Sequence, residues 1–261
     1  MKPDTQKEIS SDSKEGFDPK YFSNLFDKES KNFWFKARNE IIQYCMLDAN
    51  PEMKEYLEVG CGTGFVLSGI EQTYSSANLT ATEYYKEGLE YASHRVPSAK
   101  FRQMDGRDMP FINKFDMIGM FDVLEHIEED EAVLAQAYSA LQAGGHIVLT
   151  VPQHQWLWSH SDDYAYHRRR YATKELDQKL IDAGFRIHRS SSFVTFLMPL
   201  LIVSRVISKL KPRESYDPSS ELQIPETLNH ILYRVLQFEK WLIKKGMNLP
   251  FGGSRVVVAK K

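Results

Sequence analysis

The sequence predicts an α/β protein: a seven-stranded, doubly wound sheet with helices ahead of it and a helical insertion before its last strand. Three observations predict it. Strand-like and helix-like stretches alternate from residue 56 to residue 189, the pattern of a parallel sheet with helices on both faces. The first strand runs directly into a glycine-rich turn and a helix, Tyr56-Leu57-Glu58-Val59-Gly60-Cys61-Gly62-Thr63-Gly64-Phe65. The 261 residues, 42% hydrophobic and 26% charged, are enough for a full core and have the balance of a soluble globular chain.

Residues 1–16 are rich in Lys, Ser, Asp and Glu and read as a disordered tail, without the apolar core of a secretory signal. From Phe17 the character changes. Tyr21, Phe22, Leu25 and Phe26, then Phe33, Trp34, Phe35, Ile41, Ile42 and Tyr44, recur at helical spacing. Residues 17–50 therefore read as two helices. They are either plain core packing or a lid, with Trp34, Phe35 and Arg38 facing the glycine turn.

In the turn itself, Tyr56, Leu57 and Val59 suit a strand buried on both faces. The glycines let a ligand approach the backbone, and the next helix points its N–H groups at whatever sits there. The spacing is Gly60-x-Gly62-x-Gly64, shorter than the Gly-x-Gly-x-x-Gly of dinucleotide sites, and Glu58 stands two residues before Gly60. A carboxylate repels a pyrophosphate and attracts an ammonium. S-adenosylmethionine (SAM) carries an ammonium and a sulfonium and no phosphate. The stretch resembles motif I of the class I SAM-dependent methyltransferases, which implies a Rossmann-like core over 51–189 with SAM as cofactor. The resemblance covers roughly residues 33–189 and the last strand.

It implies a cofactor site made of Glu58, Gly60, Gly62, Gly64, Asp122, and two further groups. Arg38, in Phe33-Trp34-Phe35-Lys36-Ala37-Arg38-Asn39, would meet the methionine carboxylate. Asp105 would accept from the adenine amino group, with Asp108 as the competing candidate. Glu83 is reached from position as well. It ends the second strand, 19 residues after Gly64, where such folds bind ribose hydroxyls, and a carboxylate can accept from both.

The remaining elements follow in order: helix 65–73, strand 78–82, helix 86–95, a third strand over 101–106, and a fourth over 115–123. A helix over 130–141 ends at Ala143-Gly144-Gly145, a fifth strand covers 146–152, and a helix over 174–183 is capped by Gly184. Residues 185–189 start the sixth strand, and 254–259 form the seventh. Two insertions stand out. Residues 153–171, rich in Trp, Tyr, His and Arg, leave the carboxyl edge of the fifth strand, where ligands sit in open α/β sheets, and read as a substrate lid. The Trp-Ser to His167-Arg168-Arg169-Arg170-Tyr171 run resembles a bacterial subgroup linked to glycan or lipid modification. Residues 190–253 hold an eleven-residue apolar run, 193–203, then Arg205, Lys209, Lys211 and Arg213, then an amphipathic helix over 224–245. This is either a helical cap on the sheet edge or a contact with a membrane surface or lipid substrate.

Methyl transfer to a hydroxyl needs alignment and a base. His126 and His167 are the two histidines that fall at the strand-edge face. Arg168, Arg169 and Arg170 beside His167 would hold it neutral, and Trp156, Trp158, Tyr166 and Tyr171 would shape the pocket. No metal is expected, although Asp122, Glu125 and His126 resemble an acidic–acidic–histidine set of ubiquinone-pathway O-methyltransferases that can bind a divalent cation. Net charge is −2, divided between 15 basic and 27 acidic residues up to Tyr164 and 18 and 8 beyond it. That asymmetry marks either an anionic partner or two halves that attract each other. Cys45 and Cys61, at no metal-ligand spacing, suit a reducing cytoplasm. Glu58 disfavours a dinucleotide oxidoreductase, and no Asn/Asp-Pro-Pro-Tyr/Phe stretch follows the fourth strand, which disfavours nucleic-acid methylation. The expectation is a cytoplasmic SAM-dependent methyltransferase, O-directed, on a small-molecule, glycan or lipid-linked acceptor. The alternatives are N- or C-methylation and a non-catalytic SAM-binding scaffold.

Overall fold

The computed structural model describes residues 19–210, 212 and 223–261. The strands are β1 (Glu55–Val59), β2 (Asn78–Glu83), β3 (Lys100–Gln103), β4 (Phe115–Phe121), β5 (Leu141–Pro152), β6 (Arg186–Phe193) and β7 (Ser254–Lys260). They form one sheet in the order β3-β2-β1-β4-β5-β7-β6. The first five strands pair in parallel, and β7 runs antiparallel between β5 and β6. The order reverses between β1 and β4, which makes their carboxyl ends the crevice where such sheets bind ligands.

The helices are α1 (Phe22–Lys28), α2 (Phe33–Ala49), α3 (Phe65–Thr73), α4 (Lys86–Arg95), α5 (Asp130–Ala140), α6 (His160–Tyr164), α7 (Thr173–Asp182), α8 (Met198–Leu210) and α9 (Glu226–Lys244). Alternate strand residues feed two cores, as a period of two requires. Tyr56, Met117, Val148, Val256 and Val258 pack with Ile41, Ile42 and Met46 of α2, Leu67 and Ile70 of α3, and Leu236 and Ile243 of α9. Leu57, Ile118, Met120, Ile147 and Leu149 pack with Val133 and Leu134 of α5 and Leu176 and Leu180 of α7.

Three expectations need correction. The fifth strand begins at Leu141, not at residue 146, because Leu141 pairs with Phe115 across an irregularity in the ladder; α5 stops one residue earlier than expected. The sixth strand continues to Phe193, since Ser190, Ser191, Ser192 and Phe193 pair with β7. The insertion therefore starts after 193 rather than at 190. Within it, α9 lies on α2. Asn229 accepts from the Phe33 amide at 2.8 Å and donates to the Lys31 carbonyl at 2.9 Å, and Gln237 donates to Glu40 at 2.9 Å. Lys240 and Tyr233 hold Glu40 as well. The disordered tail assigned to 1–16, and Lys211 and Arg213, lie outside the described residues.

Candidate functional site

The carboxyl ends of β1, β2 and β4 open on a cavity of about 960 Å³. The glycine turn forms its floor. The Gly60 and Cys61 amides donate to the Thr82 carbonyl at 2.8 and 2.9 Å, which ties the turn to β2. All three glycines have positive φ, 71°, 52° and 74°, a conformation that costs other residues about 1 kcal/mol or more. Their surroundings differ. A Cβ on Gly60 would lie 2.6 Å from the Val123 side chain, and one on Gly64 would lie 2.9 Å from the Ala92 backbone. At Gly62 the nearest atom is the Phe22 ring at 3.8 Å, so this glycine faces the open cavity.

The acidic residues assigned to the cofactor all line that cavity. Glu83 accepts from the Gly62 amide at 2.9 Å through one oxygen and from the Tyr84 and Tyr85 amides at 2.8 and 3.2 Å through the other. A carboxylate has about four lone-pair sites, so about one acceptor site remains for a ribose hydroxyl. Glu58 is buried and accepts from the Tyr56 hydroxyl at 3.0 Å. Burial pushes its carboxyl up to about 8, against the opposing pull of Tyr56 and Arg38. A cation brought beside it would favour the ionised carboxylate, and with the open face of Gly62 the site fits the ammonium-bearing end of SAM. Asp105 is bridged by Arg107 at 2.7 Å; burial alone would raise its pKa, and the hydrogen bonds from Arg107 bring it below the ordinary value. Asp108 is exposed and does not reach the cavity.

Arg38 is buried at the cavity wall, 2.6 Å from Asp122 and 3.3 Å from the Thr150 hydroxyl, with its guanidinium 5.2 Å over the Trp34 ring. Asp122 itself sits at φ 57°, the left-handed region that non-glycine residues seldom adopt, and its amide donates to the Thr150 carbonyl. The N-terminal helices roof the site. Glu29, just past α1, accepts from the Thr63 hydroxyl at 2.6 Å and from Arg95 at 2.8 Å, and Arg95 also donates to the carbonyls of Thr63 and Phe26.

The lid supplies a His–Asp pair. Nδ1 of His167 lies 2.9 Å from Oδ1 of Asp162, and Nε of Arg170 donates to the same oxygen at 2.7 Å. Burial alone would raise Asp162; the hydrogen bonds and charges of His167 and Arg170 bring it well below the ordinary carboxylate range. An ionised carboxylate only accepts, so Nδ1 is the donor; in the neutral imidazole Nε2 then carries the lone pair. This corrects the expectation that three arginines surround His167. Arg170 is turned onto Asp162, and Arg169 reaches Asp130 and Glu128. The charge in contact with His167 is a carboxylate. The lid aromatics also depart from expectation. Trp156 is exposed, Trp158 donates to Asp163, Tyr171 is buried and donates to Asp130, and neither these nor Tyr166 lines the cavity. Tyr164 does, its ring tilted against that of Tyr21 with centroids 4.6 Å apart.

The ring of His126 lies 4.8 Å from that of His167. Burial, then the neighbouring His167, holds His126 well below its ordinary pKa. Glu125 is fully buried, with neither oxygen hydrogen-bonded among the described residues, and burial followed by the Asp122 charge pushes its carboxyl far up. Ligand atoms of Glu125, His126 and His167 converge within 4.8 Å. This differs from the Asp122–Glu125–His126 set, since Asp122 is taken by Arg38. Asp162, Glu29 and Arg95 were not singled out from sequence. Only Asp162 had a local signal: an acidic residue five positions before His167 on a loop already assigned to the site.

Residues 57–149 match the family of methyltransferase domains. A probable S-adenosylmethionine-dependent methyltransferase of Mycolicibacterium smegmatis is 23% identical over 60% of this chain and 61% of its own length. A fatty-acid O-methyltransferase of the same organism is 27% identical over 53% of this chain and 46% of its own length. The matched stretches thus span from just under half to about three-fifths of these relatives. Among solved structures, a SAM-dependent methyltransferase of Thermotoga maritima superposes with a TM-score of 0.59 at 14% identity, covering 93% of this chain and 95% of that one.

Proposed function

We propose that this chain, which carries a class I SAM-dependent methyltransferase domain, transfers a methyl group to an oxygen of a small-molecule, glycan or lipid-linked acceptor. The observation that carries the proposal is the Asp162–His167 pair, which stands at the same cavity as the glycine turn, Glu58 and Glu83. SAM supplies an electrophilic methyl on a sulfonium. The residues of this chain do the rest. Glu58 and the open face of Gly62 receive the ammonium end, Glu83 a ribose hydroxyl and Asp105 the adenine. Asp162 fixes the His167 tautomer so that Nε2 takes the proton of the acceptor hydroxyl. The roof of α1 and α2 and the lid around α6 exclude water and hold the acceptor in line. The fatty-acid O-methyltransferase among the relatives supports an oxygen acceptor.

The test uses labelled SAM and native extracts, with labelled products identified by mass spectrometry. The position of the label distinguishes O- from N- and C-methylation. His167→Ala is expected to lower the rate by about 10²–10⁴ with SAM affinity unchanged. A protein that binds SAM yet labels nothing in any extract is a non-catalytic binder, the main alternative. A second reading comes from the partnerless oxygens of Glu125 and the convergence of Glu125, His126 and His167: a divalent cation held there would orient the acceptor oxygen. Under it, chelation abolishes turnover and added Mg²⁺ or Zn²⁺ restores it; under the His167 mechanism, chelation leaves the rate unchanged.

A further inference from the structure

Helix α8 is apolar on both sides: Met198 and Leu201 face the protein, and a longer apolar arc faces outward. An amphipathic helix on a globular protein points its apolar side at the core and its polar side at water. In α8 the small and charged residues Arg205, Ser208 and Lys209 face the protein. Ser208 is buried, Arg205 is at the cavity wall, and Lys209 donates to the Trp156 carbonyl at 3.3 Å. The outward arc is Leu200, Ile202, Val203, Val206, Ile207 and Leu210, all exposed, with Val203 at 55% and Leu210 at 80%. The surface of α9 continues this patch. Its stripe of Leu228, Ile231, Phe238 and Trp241 is exposed, and Phe196, just before α8, packs on Phe238 with ring centroids 5.5 Å apart. An open apolar groove of about 480 Å³ lies along α9, lined by Phe196, Ile231, Val235 and Phe238 with His230 and Arg234. Isolated exposed apolar residues are ordinary; a continuous apolar surface of two helices marks an interaction site.

Three observations identify what covers it. The rest of this chain has too little to offer: residues 1–18 and 213–222 contain only Met1, Ile9, Phe17, Tyr216 and Leu222 as large apolar side chains. The charge around the patch is positive. Arg234 lines the groove and Lys244 and Lys245 are exposed at the end of α9, whereas Arg205 and Lys209 face the protein and Lys240 meets Glu40; of the two acidic residues on these helices, Glu239 is buried and Glu226 is exposed. The patch also runs into the cavity: Leu200, Leu201 and Arg205 of α8 and Leu228 and Leu232 of α9 line it. An apolar face bordered by cations is the surface that lies in a lipid headgroup layer. No described helix is long and apolar enough to cross a membrane.

We propose that the outer faces of α8 and α9 rest on an anionic lipid surface, and that the cavity draws a lipid-tailed acceptor from that surface along the apolar side chains shared by patch and wall. The docking stands on the patch alone; only the acceptor class rests on the methyl-transfer reading above. Co-sedimentation of the full-length protein with vesicles of phosphatidylcholine, alone or mixed with phosphatidylglycerol, tests it. Binding is expected to the anionic vesicles at low salt and to weaken with salt. Val203→Asp with Val206→Asp, two exposed positions away from the cavity, should lower the partition at least tenfold while SAM binding and the circular dichroism spectrum stay unchanged. Lys244→Gln with Lys245→Gln should lower it about fivefold per lost charge. Absence of binding to anionic vesicles at low salt, or equal binding by the aspartate variant, overturns the proposal. So does a dimer in light scattering that the aspartate variant dissociates, since the patch then belongs to a second copy. SAM binding without vesicle binding leaves methyl transfer standing and removes docking; vesicle binding without SAM binding does the reverse.

Discussion

Glu58 is a carboxyl that burial has pushed up to about 8, so at pH 7 the empty site holds it mostly protonated. An ammonium brought beside it favours the ionised form, and the proton must leave as the ligand binds. SAM binding at pH 7 is therefore expected to release a large fraction of one proton, measured by calorimetry in two buffers of different ionisation enthalpy. Glu58→Gln should abolish the release; a release that persists in that variant assigns the proton to another group. The position of Glu58 and its attraction to an ammonium were legible in the sequence. Its pKa was not, because burial comes from the neighbouring strands β2 and β4 and the roof. The same limit applies to the glycines. Their spacing marked a ligand turn, but only packing shows that Gly60 and Gly64 are needed to pass Val123 and Ala92, that the Cβ position of Gly62 is open, and that Gly60 and Gly62 line the cavity while Gly64 does not. It also explains the error at His167. Arginines adjacent in sequence point wherever their carboxylates lie, and a buried Asp162 outcompetes them for the imidazole.

At the scale of elements, α1 is fastened to the glycine turn through one buried carboxylate. Glu29 meets the Thr63 hydroxyl and Arg95, whose guanidinium also lies 4.2 Å over the Phe26 ring. Removing one partner of a buried pair costs about 3 kcal/mol, because the other charge is left uncompensated. Glu29→Ala should undock α1 without unfolding the sheet. Amide exchange over residues 19–32 would accelerate by two orders of magnitude or so, and SAM would dissociate faster, with the thermal midpoint little changed. Unchanged exchange would mean that Phe22 and Phe26 hold the helix by packing alone. Helix extents such as Phe65–Thr73 and Lys86–Arg95 were readable from periodicity and flanking residues. The fastening was not, since its partners lie 34 and 66 positions apart. For α8 the apolar run and its basic neighbours were readable, but not the direction: a hydrophobic arc in a sequence does not say whether protein or solvent lies against it.

For the whole molecule, alternation of strands and helices foretold the seven-stranded sheet, while the antiparallel β7 depended on where the chain returns after α9, which no local pattern encodes. That return places Lys260 opposite His146 in the β5–β7 ladder, with the His188 ring 6.2 Å away. Burial, then these two neighbours, lowers His146 to about 4 from an ordinary 6.5. The unfolded chain therefore takes up a proton below pH 6.5 that the folded protein refuses until about pH 4. The stabilising contribution of neutral His146 is complete above pH 6.5 and is lost progressively as pH falls toward 4. Two and a half units would correspond to about 3.4 kcal/mol; with partial solvent screening, a loss on the order of 2 kcal/mol is expected. Glu58 works in the opposite sense. Its folded value is raised, so the cost of ionising it grows from pH 4.5 to 8 and is relieved on acidification. The two effects separate in a variant. In urea unfolding at pH 7, 6, 5 and 4.5, His146→Gln should lose less stability than the natural protein across the series, with the dependence on urea concentration alike in the two. Parallel losses in both proteins would assign the acid sensitivity to other groups. His146 lies midway along β5 and outside the cavity lining, so a SAM affinity measured at pH 7 should be the same in the variant, and the stability of the sheet would be shown to titrate independently of the site it carries.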